Sequence, residues 1–303
     1  MKIIDTITPG TPFLSLEFFP PKERSEWPAF FHTVDRLKEV NPLFCSVTYG
    51  AGGSTHGDSL EIVSRLKQEH GLETMAHLTC IGAHDGDVHT FLDQLTQAQV
   101  DNVLALRGDL PQNSTAESSP HRPLLHASDL VSLIRGSHPH VGLGVAAYPE
   151  VHPEAASPAA DMAYLRLKLD HGADLAITQL FFDNRIYFDF VRNARDHGIT
   201  KPIIPGILPV VSLKVIKRIV SLCGTVMPAE FMAQLEEADR RGGAAEVQKL
   251  GVAHARRQTE ELLAGGAPGV HLYTLNRADA VLEVTAGLLP LSATLRLPQE
   301  PTP

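Results

Sequence analysis

Two carboxyls stand out by the company they keep. Glu17 is the only acid in the apolar run LSLEFF. Desolvation among such neighbours raises a carboxyl pKa, which would let Glu17 stay protonated near neutrality and act as a general acid. The plainer role is a strand-end carboxylate paired with a lysine such as Lys22. Asp109 lies in NVLALRGDLP, directly after the apolar run Val103, Leu104, Ala105 and Leu106. Beside Arg107 it should remain ionised. Two acids in divergent environments suggest acid–base work around a developing cation. Arg107-Gly108-Asp109 alone also fits a solvated turn or an adhesion tripeptide. Its place at the end of a buried run, in a chain with intracellular cysteine usage, favours a site.

Other signals are weaker. Gly50-Ala51-Gly52-Gly53 resembles a loop whose backbone amides cradle an anion, but it lacks both the dinucleotide fingerprint and the P-loop lysine, so a flexible turn explains it equally well. Fifteen histidines invite a metal reading. No HExxH occurs, and His138 and His140 have no acid beside them in sequence, so no metal is expected and most histidines read as surface residues. The three cysteines, Cys45, Cys80 and Cys223, form no CxxC pair. That disfavours a disulfide framework and suits a reducing cytoplasm, with Cys45 and Cys80 buried as packing groups. A formal net charge of −9 disfavours nonspecific nucleic-acid binding. No apolar stretch approaches the roughly 20 residues that cross a bilayer.

The elements that must position these groups alternate along the chain. Short apolar runs at 13–18, 44–47, 74–78, 103–106, 141–147, 175–178, 203–204 and 270–273 read as strands. Amphipathic segments between them read as helices, including 27–40, 88–98, 128–134, 159–169, 187–194, 213–222, 229–240, 244–263 and 277–288. The polar stretch 112–122 reads as a mobile loop. Eight strands each followed by a helix predict an α/β fold of the (β/α)8 TIM barrel type, as one catalytic domain over 1–290 with a disordered tail at 291–303. An open doubly wound sheet is the alternative, but no topological switch point can be located for it. A barrel carries its chemistry at the C-terminal ends of its strands. Those ends collect Glu17, Thr48, Tyr49, His77, Thr79, Arg107, Gly108, Asp109, Tyr148, Glu150, His152, Gln179, Thr274, Asn276 and Arg277.

Eight stretches in order, LSLEFFPPK, SVTYGAGGST, HLTCIG, LALRGDLP, VAAYPEVHPEA, AITQLFFD, IIPGILPV and HLYTLNRA, resemble bacterial methylenetetrahydrofolate reductases over nearly the whole chain. The resemblance implies a barrel with non-covalent FAD that reduces 5,10-methylenetetrahydrofolate to 5-methyltetrahydrofolate by a ping-pong route. Hydride passes from NADH or NADPH to the flavin and then to the folate. It also implies a homo-oligomer of one-carbon metabolism, serving methionine biosynthesis, with no nucleic-acid or membrane partner. Glu17 would be the general acid that protonates N10 and opens the folate ring to a 5-iminium cation. Asp109 would lie near both flavin and pterin, where its charge stabilises that cation. Gln179 would serve both substrates, Arg277 the folate and Thr48 the nicotinamide side. FAD would be held by Tyr49, Ala51, His77, Leu106, Arg107, Gly108, Asp109, His126, Ala127, Tyr148, His152, Ala155, Asp161 and Lys168.

The chain departs from the enterobacterial-type pattern in several places. His126 replaces a tyrosine, and Tyr164 and Leu167 replace an asparagine and an arginine that face the FAD. Val215 and Ile219 replace a polar and an aromatic residue at the substrates. The loop at 112–122 is longer. Two other functions remain open at this level: a flavin-independent reductase on the same barrel, motivated by Tyr164 and Leu167, and a non-enzymatic binding module, opposed by the intact Glu17, Asp109 and Gln179. No regulatory domain is expected.

Overall fold

In the computed structural model, residues 1–48, 56–81, 83–108 and 126–288 are described. The loop reading at 112–122 and the tail at 291–303 lie outside them. The strands are β1 (Phe13–Phe18), β2 (Phe44–Val47), β3 (Thr74–Thr79), β4 (Asn102–Leu106), β5 (Gly142–Ala147), β6 (Leu175–Thr178), β7 (Ile203–Ile204), β8 (Gly206–Ile207) and β9 (Gly269–Tyr273). Between and after them come α1 (Trp27–Leu37), α2 (His56–Gln68), α3 (Asp85–Gln97), α4 (Ala127–Ser137), α5 (Pro158–Asp170), α6 (Asn184–Asp196), α7 (Leu213–Cys223), α8 (Ala229–Ala264) and α9 (Ala278–Thr285). The two helices expected at 229–240 and 244–263 both lie within the α8 run, divided where Gly242 and Gly243 leave helical geometry.

All strand pairs are parallel, in the order β7-β6-β5-β4-β3-β2-β1-β9-β8. The single seventh strand expected at 203–204 is two short ones, separated by Pro205. β7 pairs with β6, and β8 pairs with β9. Pro205 has no N–H to give a ladder, but its carbonyl accepts from His271 N at 2.9 Å. Read through Pro205, β7 and β8 are one stave bonded on both sides, and the sheet closes into an eight-stave barrel.

Alternation along each strand sorts side chains into two environments. On β1, Leu14, Leu16 and Phe18 point to the helices, where Phe18 meets Phe30 edge to face. Phe13, Ser15 and Glu17 take the opposite face, into the barrel. The barrel floor is apolar, built from Phe13, Phe44, Met75, Leu104, Leu175, Ile177 and Ile204. Each such buried side chain contributes roughly 1.5–3 kcal/mol. Ile3 plugs the floor from below. Its backbone N–H donates to Asn102 Oδ1 at 2.8 Å, and Asn102 Nδ2 donates to Met1 O at 2.9 Å.

Cys45 and Cys80 are buried as expected, and burial pushes their thiols up to about 12 and about 11. Most of the described histidines lie at or near the surface as expected, with three exceptions. His77, His138 and His271 are buried, and α3 brings Asp93 Oδ1 to 3.1 Å from His138 Nε2. Among the described residues, no helix is long and apolar enough to cross a membrane.

Asn102→Ala should strand the Ile3 N–H in the barrel floor. We expect a loss of about 1–3 kcal/mol in urea unfolding, with the barrel's far-UV signature retained.

Candidate active site

The interior changes character toward the C-terminal ends of the strands. Above the apolar floor lie Ser15 and Glu17 of β1, Ser46 of β2, His77 of β3 and His271 of β9, all buried. Register sets Glu17 between Ser46 and Tyr273 on its two neighbouring strands. Ser46 Oγ donates to Glu17 Oε2 at 3.3 Å. His271 Nε2 lies 3.5 Å from the same oxygen and 3.3 Å from Ser46 Oγ, while its Nδ1 is 2.8 Å from Ser15 Oγ. His77 Nε2 lies 3.4 Å from Glu17 Oε2 without completing a hydrogen bond, so it is a buried polar atom still open to a partner.

These partners overturn two expectations for Glu17. No lysine pairs with it, and its pKa does not rise. Burial pushes the carboxyl up, but the adjacent imidazoles of His271 and His77 together push it down further, to about 2. The resting carboxyl is therefore ionised.

The rim around Glu17 is tied to it through the backbone. Thr274 Oγ1 donates to Glu17 O at 2.6 Å. Asn276, in the left-handed region with Leu275, bonds both backbone groups of Phe19 through its side chain. This seam delivers Arg277, exposed, to the start of α9. Tyr273 OH crosses to Thr178 O at 2.7 Å. The crossing explains Gly206, since a Cβ there would stand 2.7 Å from the phenol oxygen and 2.4 Å from Thr178 O. Thr48 N donates to Phe18 O, and Gln179 N to Ala147 O, so both residues sit at strand ends as expected.

A second cluster forms where β4, β5 and α5 meet. Arg107 makes a two-pronged bond to Glu154, Nη1 to Oε2 at 2.6 Å and Nη2 to Oε1 at 2.7 Å. The guanidinium holds the Glu154 carboxyl below its usual range. Gly108 has φ +85°, and a Cβ would meet Thr79 Cβ at 2.9 Å, so glycine is required there twice over. His152 N donates to Asp161 Oδ2 at 2.9 Å, Ala155 N to His152 O at 2.9 Å, and the His152 ring meets Tyr148 edge to face at 4.5 Å. Val151 between them has φ 74°, an unfavourable state for a β-branched residue, and it marks this loop as strained. Lys168 Nζ donates to Ala146 O at 2.6 Å, and burial pulls its pKa down to about 8 against the opposing pull of Asp161. His126 precedes Ala127 at the start of α4, and its ring faces that of Tyr164 on α5. Leu106 packs partly buried onto the barrel floor.

Of the residues expected in the site, Glu17 and His77 come together. So do Arg107, Gly108, Tyr148, His152, Ala155, Asp161 and Lys168. Tyr49, Ala51 and Asp109 lie outside the described residues. Ser15, Ser46, His271 and Glu154 were missed. Period-two alternation was the available signal: Ser15 shares a face with Glu17, and His271 alternates with the outward Val270 and Leu272. Chemically, the inner cluster can hold and move a proton. The outer one offers cations and ring faces, a donor set suited to a diphosphate joined to planar rings.

The family model described as methylenetetrahydrofolate reductase matches residues 2–288. The chain is 39% identical to methylenetetrahydrofolate reductase (NADH) 1 of Arabidopsis thaliana, across 95% of this chain and 51% of that protein. It is also 39% identical to 5,10-methylenetetrahydrofolate reductase of Escherichia coli (strain K12), across 88% of this chain and 87% of that protein. The chain thus spans about half the length of the plant relative. Among solved structures, an uncharacterised protein from Clostridium thermocellum that binds two copies of 5-methyl-5,6,7,8-tetrahydrofolic acid aligns with a TM-score of 0.62, over 92% of this chain and 95% of that one. At 14% identity, that likeness speaks for the fold alone.

The depressed Glu17 pKa has a thermodynamic sign. Its stabilisation is fully present above the ordinary value of 4.5 and is lost as pH falls toward about 2. Urea unfolding across that window should show wild type losing about 3 kcal/mol more than Glu17→Gln. Parallel pH profiles would contradict the ionised, imidazole-held carboxylate.

Proposed function

Starting from membership of the methylenetetrahydrofolate reductase family, we propose that this chain reduces 5,10-methylenetetrahydrofolate to 5-methyltetrahydrofolate. NADH or NADPH is the hydride source, and FAD is bound non-covalently. The observation that carries the reading is the buried Glu17 carboxylate, set among Ser46, His77 and His271 at the strand ends of a closed barrel. Opening the folate ring needs a proton at N10, delivered away from bulk water.

The residues fit a flavin dinucleotide. Arg107 and Lys168 supply cations for a diphosphate, Tyr148 supplies a ring face, and His77 Nε2 is a buried polar atom without a hydrogen-bond partner. A bound flavin would supply the hydride relay between the nicotinamide and the folate. Glu17 passes the proton to N10. Because its carboxyl is ionised at rest, Glu17 must take up that proton before the step, and His271 orients it, with one nitrogen at Ser15 and the other at Ser46 and Glu17. Asp109, adjoining Gly108 in sequence, supplies negative charge for the iminium cation. Gln179 and Arg277 contact the folate, and Thr48 the nicotinamide side. Arg107 must exchange Glu154 for the cofactor, and Tyr49, Ala51, His126 and Ala127 complete its cradle.

The test separates the two half-reactions. Under anaerobic conditions, Glu17→Gln should keep nicotinamide-to-flavin transfer while folate-driven reoxidation falls at least about 100-fold. Unchanged folate reduction would overturn the mechanism, and activity from a protein without flavin would overturn the cofactor. Lys168 gives a second check. A diphosphate favours its charged form, so FAD affinity should fall above about pH 8, by up to about tenfold per pH unit. Lys168→Met should remove that dependence in equilibrium dialysis.

A further inference from the structure

The outer helix layer holds a cleft that takes no part in the proposed reduction. It lies between the start of α6 and the second half of α8, with a volume of about 340 Å³. That is at the small end of the range for ligand pockets. Asn184 of α6 lines it, with His254, Arg257 and Glu261 of α8 and Pro228 just before α8.

Arg257 and Glu261 are opposite charges one turn apart on α8, and both are exposed. Such pairs commonly close. Arg256 and Glu260, at the same spacing and in the same order, meet at 3.1 Å. Among the described residues, no ion pair joins Arg257 to Glu261, because each is drawn elsewhere. Arg257 Nη2 lies 3.2 Å from His254 Nδ1, and Glu261 Oε2 accepts from Asn184 Nδ2 at 2.8 Å. The other two charges of the cleft are matched to each other, Arg185 Nη2 to Asp183 Oδ2 at 2.5 Å.

The walls are fixed. His254 Nε2 lies 3.1 Å from Phe182 O, a carbonyl that can only accept, so Nδ1 is the nitrogen left to receive the guanidinium. The ring stacks on Phe231 with centroids 4.0 Å apart. Burial, then the Arg257 charge, pull the His254 pKa down, so the imidazole adds no charge of its own. Asn184 spends its amide donors on Gln258 O and Glu261, and its Oδ1 is a buried acceptor without a donor. Buried acceptors ordinarily have one. The cleft thus offers a guanidinium on one side, and a carboxylate beside an unmet amide oxygen on the other.

A matching ligand carries a carboxylate and an ammonium close together, which is the layout of an α-amino acid. The carboxylate suits a two-pronged guanidinium bond, and the ammonium has three donors to share. Phe182 and Pro228 give the cleft a carbon surface for an aliphatic side chain. We propose that this cleft binds a free aliphatic α-amino acid, with its carboxylate on Arg257 and its ammonium between Glu261 and Asn184.

Isothermal titration calorimetry of the protein as purified would use L-alanine, L-valine, L-leucine and L-methionine, then the N-acetyl and amide derivatives of the tightest binder. At least one amino acid should bind with Kd below about 1 mM. Each derivative lacks one charge and should bind at least about tenfold more weakly. Arg257→Gln and Glu261→Gln should show the same loss for the parent amino acid. Glutamine is a good helix former at these exposed positions, and far-UV circular dichroism checks the fold. Saturating NADH or methylenetetrahydrofolate should leave the affinity unchanged. Displacement by either would place the amino acid in the barrel mouth and overturn the assignment. The proposal is also overturned if no amino acid reaches about 1 mM, if either derivative binds as well as its parent, or if either folded variant binds as well as wild type.

Discussion

A carboxylate inside a barrel must be paired, because an unpaired buried charge is far costlier than any gain from the surrounding fold. Glu17 meets that demand with Ser46, His77 and His271, drawn from three other strands. Each partner reaches it only if the parallel register is kept. The requirement propagates outward: His271 must be held by Ser15, and the backbone carbonyl of Glu17 is taken by Thr274. The apolar floor below and the polar cluster above are two halves of one arrangement. The floor excludes water, and exclusion makes the hydrogen bonds around the carboxylate strong.

Much of this was legible in the sequence. The alternation of apolar runs and amphipathic segments pointed to the barrel, and strand ends pointed to Glu17, His77, Arg107 and Gln179. The misreading of Glu17 has a clear cause. Its neighbours in sequence are apolar, but Phe18 faces the helices and packs on Phe30. Its neighbours in space are hydroxyls and imidazoles from β2, β3 and β9. Adjacent residues on a strand share almost none of each other's environment. His271 went unseen because its partner lies at the other end of the chain, and only closure of the sheet brings β9 beside β1. Pro205 likewise read as the end of a strand whose stave resumes at Gly206.

The outer cluster follows a different logic. Arg107 is bonded to Glu154, a residue of the loop after β5, while Asp109 lies outside the described residues. That loop contains the strained Val151 and the Tyr148–His152 ring pair. A cation already satisfied by a local carboxylate is held in position without a ligand, at the cost of competition when an anionic ligand arrives. The inner cluster is rigid and buried, whereas the outer one is exposed and exchangeable. The proposed proton handling and the proposed cofactor retention would thereby fall in two environments of one rim.

The stave interrupted at Pro205 gives the barrel an uneven hoop strength. Elsewhere a strand is laced to its neighbours over three to five paired positions. Here two on each side suffice, with a proline between them. Local opening of a protein follows its least cooperative stretch. The ring is therefore easiest to part between β6 and β9, the strands whose ends carry Gln179 and lead to Arg277. The barrel is weakest on the flank assigned to the substrate and strongest around Glu17, so the floor beneath the proton-handling cluster can stay closed while that flank breathes.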